Sequence, residues 1–149
     1  TVGVLLAKAL NRNFVDTDLV VQSAEGKRLQ EMVDTLGTDA FREIEELHVL
    51  SIRIPGAVIA TGGSVVYSSE AMEHLKAHGT TIFLQLAIDT LEERLSDAGG
   101  RGLVIDDDQS FTDLYQERLP LYLGYSDFTI ECDGMNHDEV VTAIVNQLG

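Results

Sequence analysis

Asn13-Phe14-Val15-Asp16-Thr17-Asp18 carries a short apolar run into two carboxylates, and the rest of the chain takes its meaning from that junction. Side chains two residues apart at a strand end project to the same side. Asp16 and Asp18 so placed suit a divalent cation and a hydroxyl held side by side, as phosphoryl transfer requires. Taken alone, the triplet reads equally as an acidic turn capping the following helix.

On either side of this junction, helical and extended patterns alternate. Residues 2–10 read as a helix with Val2, Leu5, Leu6, Ala9 and Leu10 on one face. Residues 17–24 and 28–36 read as short helices, the second closed by Gly37. A longer helix over 39–51 turns Ala40, Phe41, Ile44 and Leu47 inward. Pro55-Gly56 breaks the chain, and residues 57–60 form a buried strand entering Thr61-Gly62-Gly63-Ser64. Residues 69–78 are helical, 81–86 extended and 88–97 helical. Residues 98–109 are a loop rich in Gly and Asp. A helix over 110–119 is expected to stop near Pro120. Residues 128–132 are a strand, and 137–148 a final helix with Val140, Val141, Ile144, Val145 and Leu148 in a stripe. Apolar strands alternating with helices predict an α/β fold, a parallel sheet covered on both faces to make three layers. No repeat or long linker divides the chain, so residues 1–149 read as one domain.

Hydrophobic residues make up 44% of the 149, as expected of a chain with a packed core. No apolar run approaches the ~18–20 residues of a membrane span, and the opening Thr1-Val2-Gly3 does not read as a signal peptide. A single cysteine, Cys132, rules out an internal disulfide and fits a reducing cytoplasm. The net charge of −15 argues against a nucleic-acid partner. With ten Lys and Arg in all, any bound phosphate or carboxylate must meet one of a few identifiable cations.

Ligands of open parallel sheets gather at the carboxyl ends of the strands. Both Asp16-Thr17-Asp18 and Thr61-Gly62-Gly63-Ser64 fall there. A Gly-Gly pair lets backbone N–H groups approach an anion, and serves equally as a tight turn. Arg42 is followed by Glu45 and Glu46 at the third and fourth positions, where one can orient its guanidinium or simply share a solvated face with it. Arg118 precedes Leu119-Pro120. A helix break there either aims it into a cleft or leaves it on the last carbonyls. Arg101, in Gly99-Gly100-Arg101-Gly102, suits a lid closing over phosphates and equally a plain loop. Arg94 stands on a polar helix face. His74 and His78, four apart, read as surface groups, and no nucleophile motif is present.

Taken in order, the Val2-Gly3 helix start, Asp16-Thr17-Asp18, Phe41-Arg42-Glu43-Ile44-Glu45, Ala60-Thr61-Gly62-Gly63, a lid arginine and Glu117-Arg118-Leu119-Pro120-Leu121-Tyr122 resemble shikimate kinase across the whole chain. The resemblance implies a P-loop kinase fold of the nucleoside-monophosphate-kinase type with sheet order 2-3-1-4-5. It implies ATP and magnesium, and phosphorylation of the 3-hydroxyl of shikimate by a cytoplasmic monomer. It also implies roles. Asp18 holds the substrate hydroxyls and assists deprotonation, and Asp16 helps organise Mg2+ through its water shell. Arg42 and Arg118 grip the shikimate carboxylate, with Glu45 orienting Arg42. Gly62 and Gly63 offer N–H groups to the substrate. Arg101 closes on the ATP phosphates with a lid at about 98–109, Arg94 lies against the adenine, and Thr1 belongs to the ATP site.

Three positions depart from the family pattern. Ser64 replaces a third glycine, Gly102 replaces the proline after the lid arginine, and Met135 stands where a basic residue often lies near adenine. The family's phosphate loop and first strand, roughly 14 residues, are expected immediately ahead of Thr1. Two rivals stay open: a kinase of another hydroxy acid such as gluconate, and a catalytically silent kinase-like binding module.

Overall fold

The computed structural model describes residues 1–97 and 108–149. β1 (Phe14–Asp16) runs parallel to β2 (Val58–Ala60), with Asp16 abreast of Ala60. β3 (Ile82–Gln85) runs parallel to β4 (Phe128–Glu131), with Gln85 abreast of Glu131. Among the described residues these form two separate parallel pairs. The order 2-3-1-4-5 without its first member has the same neighbours.

Helices connect the strands: α1 (Val2–Ala9), α2 (Thr17–Glu25), α3 (Leu29–Leu36), α4 (Thr38–Ser51), α5 (Ser69–His78), α6 (Ile88–Asp97), α7 (Phe111–Tyr125) and α8 (His137–Leu148). Local chemistry starts several of them. Asn136 and Glu139 form a reciprocal capping box on α8, as Ser110 and Asp113 do on α7, and the Ser68 hydroxyl caps α5. Each such cap contributes about 1 kcal/mol. Gly3 lets α1 settle onto β1, because a Cβ there would lie 2.7 Å from Phe14 Cε2.

One core joins both strand pairs. Leu6 of α1, Ile130 of β4 and Val140, Val141 and Ile144 of α8 are buried together, with Val58 of β2 and Ile82 of β3 packed against them. Each such side chain contributes roughly 1.5–3 kcal/mol on burial. Val49, Val65, Ala71 and Met72 bind α4 to α5 through the short 3-10 turn Val65–Tyr67. Val21, Met32 and Phe41 tie α2, α3 and α4 together. At the start of β3, Asp127 accepts hydrogen bonds from Lys76 Nζ (2.6 Å), Thr81 N–H (2.7 Å) and Thr81 Oγ1 (2.8 Å). These bonds, Lys76 first, hold its carboxyl down to about 2.

Expectations at Ala9, on α4 and at Pro120 need correction, the strand at 57–60 is half-buried rather than buried, and Leu148 at the end of the α8 stripe is exposed. Ala9 is exposed rather than inward. On α4, Leu47 is 65% exposed, and the inward position falls instead to Glu45, 3% exposed. Finally, α7 does not stop at Pro120 but continues to Tyr125. A proline inside a helix costs about 3 kcal/mol, and long-range contacts on both sides of it offset that here. Leu114 and Arg118 are buried ahead of it. Tyr122 beyond it stacks on Phe83 at 5.1 Å and donates to Gly63 O. Residues 98–107, including Arg101 and Gly102, lie outside the described residues. Among the described residues no helix is long and apolar enough to cross a membrane.

Candidate active site

Because β1 and β2 are parallel and end abreast, the segments leaving them meet. Gly62 N–H donates to Thr17 Oγ1 at 3.0 Å, and Thr17 is 1% exposed. Asp18 does not lie on the strand. It occupies the first turn of α2, while Asp16 caps that helix, its Oδ1 accepting from Asp18 N–H (2.9 Å) and Leu19 N–H (3.4 Å). A cap, not strand alternation, therefore keeps the two carboxylates close. Asp16 serves as the capping residue, and Asp18 turns its carboxylate towards Gly62. A Cβ on Gly62 would lie 2.5 Å from Asp18 Oδ1 and 3.2 Å from Glu45 Oε2. Burial, and then the neighbouring Asp16, raise the Asp18 carboxyl above its ordinary value.

Gly62 thus differs from its expected role. Its N–H is spent on Thr17, so what the position requires is the absence of a Cβ beside two carboxylates. Among the described residues, Gly63 N–H has no protein partner, while its carbonyl accepts from Tyr122 Oη at 2.8 Å.

The two arginines reach the same turn from different helices. Arg118 of α7 is 8% exposed, its Nε donates to Tyr67 Oη at 3.3 Å, and its Nη1 would lie 2.6 Å from a Cβ on Gly63. Arg42 of α4 rests its guanidinium over the Tyr67 ring, with Cζ 4.0 Å from the centroid. Among the described residues neither arginine forms an ion pair within 4.0 Å. Glu45 therefore does not clamp Arg42 as expected. Its Oε1 accepts instead from Ser64 Oγ at 2.6 Å. Burial raises the Glu45 carboxyl, opposed by the Ser64 bond and more weakly by Arg118 and Arg42, with Asp18 adding to the rise. Burial also pushes the Tyr122 phenol up, against the pull of Arg118.

The buried polar or charged side chains among the described residues are Thr17, Glu45, Ser64 and Arg118. All four stand at this turn. Burying polar groups is costly unless they are partnered, so their concentration here marks a site built for more than folding. Tyr67, Thr17 and the Ser64–Glu45 contact were not foreseen. An aromatic residue three positions after Ser64, at the end of a Val-Val-Tyr run, was the available signal for Tyr67.

Two cavities are notable, the first beside the turn. One of about 280 Å3 lies beside Arg42 and Tyr67, reaching Glu43, Glu46 and Ser68. The other, of about 240 Å3, gathers Thr1 and Arg94 with Leu84, Leu86, Cys132 and Met135. Thr1 and Arg94, both expected at the ATP site, line one space. Burial, followed by Asp133, pushes the Cys132 thiol up. No group of three or more His, Cys, Asp or Glu side chains among the described residues is placed to hold a metal.

The family described as "SKI: Shikimate kinase" matches residues 1–149. A shikimate kinase of Thermodesulfovibrio yellowstonii is 36% identical over 99% of this chain and 86% of its own length. The structure of shikimate kinase from Acinetobacter baumannii in complex with shikimate superimposes with a TM-score of 0.86 at 26% identity, over 99% of this chain and 84% of that one. Shikimate kinase from Aquifex aeolicus gives a TM-score of 0.80 at 29% identity, over 99% and 87%. The chain belongs to the shikimate kinase family.

Proposed function

We propose that the protein transfers the γ-phosphoryl group of ATP to the 3-hydroxyl of shikimate, giving shikimate 3-phosphate and ADP. The observation that carries this reading is the convergence of Asp18, Arg42 and Arg118 on the Gly62-Gly63 turn. Asp18 lies beside Gly62 and Arg118 beside Gly63, and neither Arg42 nor Arg118 has an anionic partner within 4.0 Å among the described residues. Guanidinium forks match the carboxylate of a small acid. Asp18, with its carboxyl raised, is placed to accept the proton of the attacking hydroxyl. Catalysis then rests on positioning and charge stabilisation, with no covalent intermediate.

The remaining roles follow from residue chemistry. Gly63 N–H is available to a substrate oxygen. Arg94 and Thr1 line a largely apolar space suited to the nucleotide. Arg101 lies outside the described residues, and its guanidinium chemistry suits the ATP phosphates. Mg2+ keeps several waters and takes one or two carboxylates along with phosphate oxygens. Asp16 and Asp18, at the end of β1, suit that limited demand, and the ion would neutralise charge on the transferring phosphoryl group. A single cysteine and no disulfide favour the cytoplasm.

Phosphorylation rates of the full-length protein across shikimate, quinate and gluconate test the reading. Shikimate is expected to be preferred. Preference for another acid, or shikimate binding without turnover, would contradict it.

A further inference from the structure

We propose that Tyr67 is a positioning residue that holds both carboxylate-gripping arginines in register and so sets the enzyme's demand for an acidic substrate. The inference rests on the assignment of Arg42 and Arg118 to the shikimate carboxylate. Among the described residues, Arg42 makes no hydrogen bond or ion pair, and its Nε is buried without a partner. What fixes its guanidinium is the Tyr67 ring, 4.0 Å from Cζ. A cation stacked on an aromatic face is attracted by the ring quadrupole without losing its N–H donors. The edge N–H groups of Arg42 therefore stay free for a ligand.

The same side chain engages the second arginine differently. Its Oη accepts from Arg118 Nε at 3.3 Å, and Arg118 Cζ lies 5.3 Å from the ring centroid. One phenol thus touches two guanidiniums that come from α4 and α7, remote in sequence. A carboxylate partner would hold them more strongly but would also neutralise them, in competition with the substrate. A neutral aromatic acceptor holds the pair with no ion pair within 4.0 Å among the described residues, while Glu45 acts on both arginines only at longer range. The backbone of Tyr67 is itself anchored. It ends the 3-10 turn whose Val65 and Val66 are buried, and its N–H donates to Ser64 O at 3.1 Å. The ring is therefore built into the same turn that carries Gly62 and Gly63.

Two substitutions separate its functions. Tyr67→Phe keeps the ring under Arg42 and removes the acceptor for Arg118. Tyr67→Leu removes both. Steady-state kinetics of the full-length protein should show KM for shikimate raised about three- to tenfold in Tyr67→Phe and roughly 10–50-fold in Tyr67→Leu. The KM for ATP should stay within twofold in both. The ratio of kcat/KM for shikimate over its methyl ester, which lacks the carboxylate charge, should fall in the same order. A merely structural role would affect acid, ester and ATP alike.

Arg118→Ala, measured alongside, tells the two readings apart. If it weakens shikimate binding while both Tyr67 variants leave KM within twofold, or lower acid and ester equally, the role of Tyr67 is wrong. If Arg118→Ala itself has no effect on shikimate, the assignment of the carboxylate grip fails first. Tyr67→Phe removes one oxygen atom, so it keeps the test valid should Tyr67→Leu not fold.

Discussion

Ser64 Oγ donates a 2.6 Å hydrogen bond to Glu45 Oε1, and both side chains are buried. The serine that replaces a glycine in the family pattern thus partners a carboxylate that would otherwise be buried without a donor. Ser64→Ala is expected to destabilise the protein by about 1–3 kcal/mol at pH 7. The effect has a definite pH dependence. Burial holds the Glu45 carboxyl above its ordinary 4.5, and the Ser64 bond pulls it down. A raised carboxyl penalises folding while ionised, and the penalty fades as pH falls and the group protonates. Losing Ser64 enlarges that penalty, so the destabilisation should shrink towards acid pH. Urea unfolding of both proteins at pH 7 and pH 5 checks this. An equal loss at both values would contradict it.

The two glycines should fail in different ways. A Cβ on Gly63 meets Arg118 Nη1 at 2.6 Å and Tyr122 Oη at 3.1 Å, whereas one on Gly62 meets Asp18 Oδ1 at 2.5 Å. These are side-chain ends that can move aside, so stability should change by less than about 1 kcal/mol. The cost falls on placement, where a shift of about 1 Å is worth up to ~100-fold. Gly63→Ala should mainly raise KM for shikimate by moving Arg118. Gly62→Ala should mainly lower kcat by moving Asp18. Kinetics that show the same profile for both would sink this distinction.

Asp18 carries a cost in the folded state. Its carboxyl is raised by burial and by Asp16, so its ionised form opposes folding at neutral pH, and the opposition disappears as pH drops below its folded pKa. Asp18→Asn should therefore raise the Tm at pH 7, with the gain vanishing in acid. Activity should fall by about 10²–10⁴-fold with loss of the proton acceptor. In the unmodified enzyme, kcat/KM should decline as pH falls through a value above the ordinary 3.8 of an aspartate. A destabilised Asp18→Asn protein at pH 7 would contradict this account.

Where a contact is local, the sequence was a sufficient guide. The helices at 69–78, 88–97 and 137–148 were read with the bounds the structure has. For α5 and α8 the caps and buried apolar residues lie within a few residues of each other. The proximity of Asp16 and Asp18 was also legible, though through the wrong cause, because a capping carboxylate and strand alternation leave the same spacing. What escaped was set across the fold. Glu45 and Ser64 are nineteen residues apart, so nothing on α4 marked Glu45 as buried or Leu47 as exposed. Pro120 read as a stop because the contacts that carry α7 past it, Phe83 and Gly63, come from other elements. Tyr67 was hidden for the same reason, since its two arginine partners arrive from α4 and α7.

Shikimate affinity of the Arg118→Ala protein, measured by calorimetric titration against the unmodified full-length protein, tests the central claim most directly. Removing one of two guanidiniums that share a carboxylate should cost about 2–4 kcal/mol of binding, with nucleotide affinity unchanged. Unaltered shikimate affinity would mean that Arg118 does not meet the substrate, and the convergence of α2, α4 and α7 on the Gly62-Gly63 turn would need another explanation.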